Sequence, residues 1–226
     1  FESMIPEEIE SMVKPVNPRK MLEWARVWKQ FGFQIHMMLI FGYPMSPAAK
    51  ERLAKKGMVF KMSAHERARR FWEFITQAKP ATLQVMLLLP LPGTETRRYL
   101  LEQGRIYTEF GWRYYEGTWL QFEPDEGVDP VELQYEWCKL MRRFYGFPII
   151  WRSVWACIAL RWALFGLYTM SLPVVWLLSG CRFRPWKMTW RNLLRRAQGQ
   201  HIVKAWLKSS AQLNFMERLK TISSRY

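Results

Sequence analysis

The chain has 226 residues, half of them hydrophobic and 16% aromatic, with a net charge of +15. That length allows one large domain, or one domain with an appendage. Its three cysteines, Cys138, Cys157 and Cys181, form no CxxC pair and have no zinc-site spacing, which leaves buried free thiols in a reducing compartment as the plain reading. The start has no basic, apolar and small-residue succession of a signal peptide, and it begins at Phe1 within what reads as structure, so the expectation is a piece of a longer protein.

The charge is unevenly placed. From Lys139 onward there are 16 of the 34 basic residues but only one of the 19 acids, Glu217. The first part is therefore neutral and the tail carries the excess, which points to a polyanionic partner for the tail.

In chain order, residues 4–14 begin with Pro6 and two acids, as a helix N-terminus does. A second helix opens with Asn17 as cap and Pro18 in its first turn, carries an apolar stripe from Met21 to Trp28, and stops at Gly32. Residues 33–44, FQIHMMLIFGYP, form an apolar run of strand length, as expected of a strand covered on both faces. Ser63 and Glu66 make a capping-box pair for a helix that Pro80 ends. Residues 81–93, ATLQVMLLLPLPG, repeat the buried-strand pattern, and a helix capped by Thr94 and closed by Gly104 follows. Helix, strand, helix, strand, helix with short connections predicts parallel βα units, and the expected fold class is α/β.

Residues 107–130 are aromatic and turn-rich, with an acidic cluster at Glu123, Asp125 and Glu126, and read as a loop or short hairpin over the sheet. Asp129-Pro130 opens another helix. The stretch 147–180 is the most apolar, with no charge between Trp162 and Gly180. That run touches the lower limit for a bilayer span but is cut by Pro173, which leaves a spanning helix open beside helices lying in the interface or packed on the fold. Residues 181–220 read as two basic amphipathic helices.

In parallel α/β sheets, ligands bind beyond the carboxyl ends of the strands. Here those ends are FGYP (41–44) and PLPG (90–93). Proline stops strand pairing and glycine admits close backbone approach, so both read as a rim. His36, on an apolar strand, reads as a satisfied core or lumen histidine sooner than as a ligand.

These ends also carry a resemblance. FES (1–3), KPVNPRKMLEWARVWKQFGFQIHMMLIFGYP (14–44) and LLPLPGTETRRYLLEQGRI (88–106) resemble, in order and spacing, the later half of radical S-adenosylmethionine (radical SAM) enzymes, nearest to the group with a cobalamin-binding domain. That family has a Gly-x-Glu-Ser/Thr strand end, then Phe-Ile-x-Gly-x-Pro, then Pro-x-Pro-Gly-Thr before a helix ending Gly-Arg-Ile. The likeness covers about residues 1–145. It implies a partial TIM-like (β/α) barrel with parallel strands, followed by an α-helical basic and apolar tail. Phe1 would lie near the end of the fourth barrel strand, and 34–42 and 82–89 would be the fifth and sixth. The implied division is 1–106 for the barrel half, 107–146 for a covering loop and helix, and 147–226 for a membrane-associating helical tail.

The resemblance implies S-adenosylmethionine (SAM), a [4Fe–4S] cluster and cobalamin as cofactors. Glu2 and Ser3 match the positions facing the methionyl and ribose part of SAM, Ile40 the residue packing on adenine, and Gly42 the strand-end glycine. Leu89 and Pro90 would flank the adenine from the sixth strand. The Cys-x3-Cys-x2-Cys cluster loop is absent, so this chain by itself is expected to be inactive. Met45-Ser46-Pro47 and Glu95-Thr96 also depart from the pattern.

The tail adds a partner. Basic helices with Trp suit an anionic membrane surface, and they suit it better than nucleic acid because the neighbouring 162–180 run is too apolar for a nucleic-acid face. A cytoplasmic enzyme held at the membrane, peripherally or integrally, would act on an apolar, lipid-like small molecule. Trp112, Tyr114, Tyr115, Trp119 and Phe122 are expected over the barrel mouth. The competing reading is a non-catalytic membrane-surface or scaffold protein with a decayed barrel. An aldolase or metal-dependent hydrolase would need a Lys or a His and Asp set at the strand ends, and His36 alone is found.

Overall fold

The computed structural model describes residues 3–12, 17–31, 33–57, 60–146, 194–195, 197–206 and 208–224. Its elements are helix α1 (Pro6–Ser11), α2 (Pro18–Gln30), strand β1 (His36–Phe41), α3 (Pro47–Lys55), α4 (Ala64–Ala78), β2 (Thr82–Leu87), α5 (Glu95–Glu102), two 3-10 turns (Thr108–Phe110 and Trp112–Tyr114), α6 (Pro130–Phe144), a helix over residues 197–206 (α7) and α8 (Ser210–Ser223).

The local chemistry sets the helix starts. Asn17, Ser63, Thr94 and Asp129 each accept a backbone N–H of the first turn with the side chain. Only half of the expected capping box forms at α4, because Glu66 turns its carboxylate to Arg69 and Arg70. Lys79 closes α4 in the left-handed conformation at φ 47°, directly before Pro80. Helix α3 was not anticipated, although its signals are present: Ser46 caps it, Pro47 starts it, and Ala49 and Leu53 bury its inner face.

The fold is mixed α/β and mostly helical, with a parallel two-stranded sheet in register His36↔Thr82 to Phe41↔Leu87. Met37, Leu39, Phe41, Leu83, Val85 and Leu87 are buried on one face. The other face carries His36, Met38, Ile40, Thr82, Gln84 and Met86, which are exposed or half-buried. Among the described residues the strands are therefore covered on one face, where the unbroken apolar runs predict two.

The two sheet edges also differ. In a parallel ladder, alternate residues turn both N–H and C=O to the same neighbour. Residues 83, 85 and 87 of β2 turn outward, where side chains and a loop meet them. Tyr145 Oη donates to Leu83 O (2.7 Å) and accepts from Leu83 N (3.1 Å). Trp137 Nε1 donates to Val85 O (2.8 Å), and Leu87 N donates to Gly117 O (2.7 Å). Among the described residues, nothing pairs with the outward backbone groups of His36, Met38 and Ile40 on β1.

One contiguous core runs from Met4 to Ile222. Helix α8 contributes Phe215, Leu219 and Ile222, and Trp206 of α7 packs between Trp119 and Trp137. The end of the chain is thus built into the fold. Trp119 and Phe122, expected at a barrel mouth, lie in this core, whereas Trp112 is exposed. Beneath α1, Glu8 and Arg67 form a buried pair, with Glu8 Oε1 2.9 Å from Arg67 Nε and Glu8 Oε2 accepting from Ser3 Oγ (2.6 Å). Burial pushes the Glu8 carboxyl up, against the pull of Arg67 and Ser3.

Among the described residues, no helix is long and apolar enough to cross a membrane. The 162–180 run, Cys157 and Cys181 lie outside the described residues. Cys138 is a buried free thiol, and burial pushes its pKa up to about 12.

Candidate functional site

The carboxyl ends of β1 and β2 lie side by side, as the register Phe41↔Leu87 requires. Of the residues expected to hold SAM, Ile40, Gly42, Leu89 and Pro90 come to this shared end. Ile40 is half-buried on the open sheet face, in register with Met86. Gly42 is buried at φ 78°, and a Cβ there would stand 3.1 Å from Leu133 Cδ2. Leu89 is half-buried and Pro90 buried. Ser3 is buried, and its hydroxyl is engaged by Glu8 and by the N–H of Ile5, so a ligand would have to compete with both. Glu2 lies outside the described residues.

His36 is exposed at the opposite end of β1, with Nδ1 2.8 Å from Thr82 Oγ1 across the ladder. The ring is thus hydrogen-bonded, but it lies on the exposed face of the sheet, whereas the sequence predicts a core or lumen histidine.

Polar residues that sequence reasoning did not single out fix the rim. Tyr99 Oη donates to Pro44 O (3.3 Å), and Tyr43 Oη meets Thr96 Oγ1 (3.5 Å), tying the loop after β1 to α5. Burial pushes the Tyr99 phenol well above its ordinary value, so it stays a donor. Asp125, one of the acidic cluster seen in the sequence, accepts from Met45 N (2.8 Å) and Arg105 Nη2 (3.2 Å) and faces Lys50 at 3.5 Å. Its neighbour Glu123 accepts from the Tyr107 hydroxyl, and desolvation raises its carboxyl pKa despite that bond. Asp125 is therefore the member of the cluster that braces the loop after β1.

Beyond β2, Arg97 donates to Pro90 O (3.0 Å) and Tyr115 Oη (3.0 Å), and its guanidinium lies 5.2 Å from the Trp112 ring centre. An open depression beside it is lined by Pro92, Gly93, Thr94, Glu95, Arg97 and Leu101. Gly117 sits against Met86, so the aromatic loop does reach the open sheet face, through a glycine.

At the shared strand end, half-buried Ile40 and Leu89 lie with buried Gly42 and Pro90. The described residues hold no group of three His, Cys, Asp or Glu side chains placed to bind one metal ion. The donor set for a [4Fe–4S] cluster is not met by them. No family model, curated protein or solved structure matches the chain.

Proposed function

We propose that the chain is the C-terminal part of a radical SAM enzyme, supplying one side of the SAM pocket and the substrate cover. The full protein would cleave SAM reductively, with a cluster ligated elsewhere, to modify an apolar, lipid-like substrate. Cobalamin would serve it as a further cofactor.

The observation that carries this reading is the pairing of β1 with β2. Two motifs that lie 46 residues apart, Ile40-Phe41-Gly42-Tyr43-Pro44 and Pro90-Leu91-Pro92-Gly93-Thr94, end adjacent parallel strands on one side of the sheet. Parallel βα units place ligands at that side. The half-open sheet face and, among the described residues, the unpaired edge of β1 suit a sheet that continues as a barrel, with Ile40, Leu89 and Pro90 on adenine and Gly42 admitting close approach. Glu2 and Ser3 would meet the methionyl and ribose part. The basic tail, where Arg195, Lys204 and Lys208 are exposed beside Leu194 and Ile202, suits an anionic membrane surface.

The test is SAM binding by the full-length gene product, then 5′-deoxyadenosine release after anaerobic cluster reconstitution. Ile40→Asp should weaken SAM binding by at least about tenfold, since a carboxylate would be desolvated against adenine. Absence of SAM binding in the full-length protein would remove the enzyme reading and leave the non-catalytic membrane-surface or scaffold reading.

A further inference from the structure

Helix α2 carries a wider apolar stripe than the core uses. Met21 and Ala25 are its buried residues. Beside them, Trp24 (55% exposed), Val27 (42%), Trp28 (53%) and Phe31 (74%) follow at i, i+3, i+4 and i+7, and Phe33 (57%) extends the row past the helix end. Trp28 and Phe33 stack edge to face at 5.0 Å, which makes the two segments one continuous patch. Single exposed apolar residues are ordinary, but five contiguous ones, four of them aromatic, mark an interaction face.

The surroundings of the patch are basic. Arg19, Lys20 and Arg26 are exposed on α2, and Glu23 is its only acid. At the far end, Arg195 Nη1 donates to Gln34 Oε1 (3.0 Å), bringing the segment with exposed Leu194 next to Phe33. Helix α7 follows, with exposed Ile202 and Lys204.

We propose that α2, with Phe31 and Phe33, forms a docking face for an anionic lipid bilayer. Tryptophan and phenylalanine on one sector, with lysine and arginine around it, match the boundary between headgroups and acyl chains. Three exposed cations, Arg19, Lys20 and Arg26, against the single acid Glu23 on α2 complement an anionic leaflet. A nucleic-acid partner fits less well, because four aromatics in one continuous row leave little room for phosphate contacts among them. This face lies outside the tail assigned to the membrane above and needs neither that assignment nor SAM chemistry.

The experiment uses the 226-residue chain and phosphatidylcholine vesicles with and without phosphatidylglycerol. The triple variant Trp24→Ser/Trp28→Ser/Phe31→Ser should lower partition into anionic vesicles by at least about tenfold, given the apolar area withdrawn from the interface. Wild-type partition into neutral vesicles should be weaker than into anionic ones. If the triple variant loses its fold by circular dichroism, the conservative pair Trp24→Phe/Trp28→Phe replaces it. Brominated lipid should then quench a smaller share of the tryptophan fluorescence in the pair variant than in wild type.

Unchanged partition of a folded triple variant overturns the proposal, as does unchanged quenching in the pair. If Arg195→Gln/Lys204→Gln loses vesicle binding while the α2 variants keep it, the tail reading survives and this one falls. Loss of self-association in the triple variant without loss of vesicle binding would assign the face to a second copy. A cross-link from position 28 to residues 147–180 in vesicle-bound protein would assign it to this chain. Either result overturns the proposal.

Discussion

Tyr145 stands in for a strand: its one hydroxyl satisfies both the N–H and the C=O of Leu83 on the outer edge of β2. An exposed strand edge invites pairing with other chains, and a two-stranded sheet is marginal by itself. Helix α6 and its cap residue Tyr145 answer both problems, with Trp137 donating to the carbonyl of Val85, the next outward residue of β2.

Tyr145→Phe should therefore destabilise the chain by roughly 2–4 kcal/mol, because two buried backbone groups lose their partner and the ring volume hardly changes. Urea unfolding would measure the loss. Amide exchange should accelerate at Leu83 and much less in α4, and equal acceleration in both would show that the hydroxyl has no local role.

The same ring also seats the end of the chain. A Cβ on Gly199 would clash with Tyr145 Cε1. The ring cannot give way without breaking its bonds to Leu83. Gly199→Ala should displace α7 and cost roughly 1–3 kcal/mol, as overpacking does, where alanine in an unconstrained helix would stabilise. A melt in which Gly199→Ala is more stable than wild type would show that α7 does not lie on Tyr145.

Much of this architecture was legible in the sequence. Asn17, Ser63, Thr94 and Asp129 announce their helices because a capping side chain acts on its own first turn, a local interaction with a local signature. Both strands were found within a few residues, and their parallel pairing followed from the intervening helix. The open face of the sheet was not legible. An apolar run such as HMMLIF reads alike whether its second face meets a helix or stays exposed, and only tertiary structure decides. Arg67 was hidden for the converse reason, since a charged residue in a helix looks solvated until its buried partner, Glu8, arrives from far away in sequence. At the site, glycines and prolines marked the strand ends, but Tyr99, Arg97 and Asp125 hold those ends through contacts separated by up to 80 residues. No spacing rule reaches so far.

Glu66, whose carboxylate turns away from the cap to Arg69 and Arg70, makes a pH prediction. Side-chain hydrogen bonds from Arg69 and then Arg70 lower the Glu66 carboxyl to about 2. A depressed folded pKa means that the unfolded chain binds the proton more readily. The stabilisation is thus present above about pH 4.5, the ordinary value, and is lost as pH falls toward 2. Glu66→Gln should be less stable than wild type at neutral pH, and the difference should shrink steadily below pH 4.5. A difference that stays constant down to the acid limit would assign the effect to packing.

Gly42 joins fold to proposed function. Its φ of 78° is strained for any other residue, and a new Cβ would meet Leu133 Cδ2 at 3.1 Å. Gly42→Ala should cost roughly 1–2 kcal/mol for the backbone conformation alone. Gly93 provides the comparison, because it has φ 79°, sits at the other strand end and has nothing within 4 Å of a built Cβ. Gly93→Ala should show the backbone cost without the contact, so the excess at Gly42 measures how far Leu133 can move. If the strand ends hold SAM as proposed, Gly42→Ala in the full-length protein should also weaken SAM binding beyond what its stability loss explains, while Gly93→Ala should leave binding nearer to wild type. Equal, small effects of both on SAM binding would mean that Gly42 is a glycine only because the chain must turn there over Leu133.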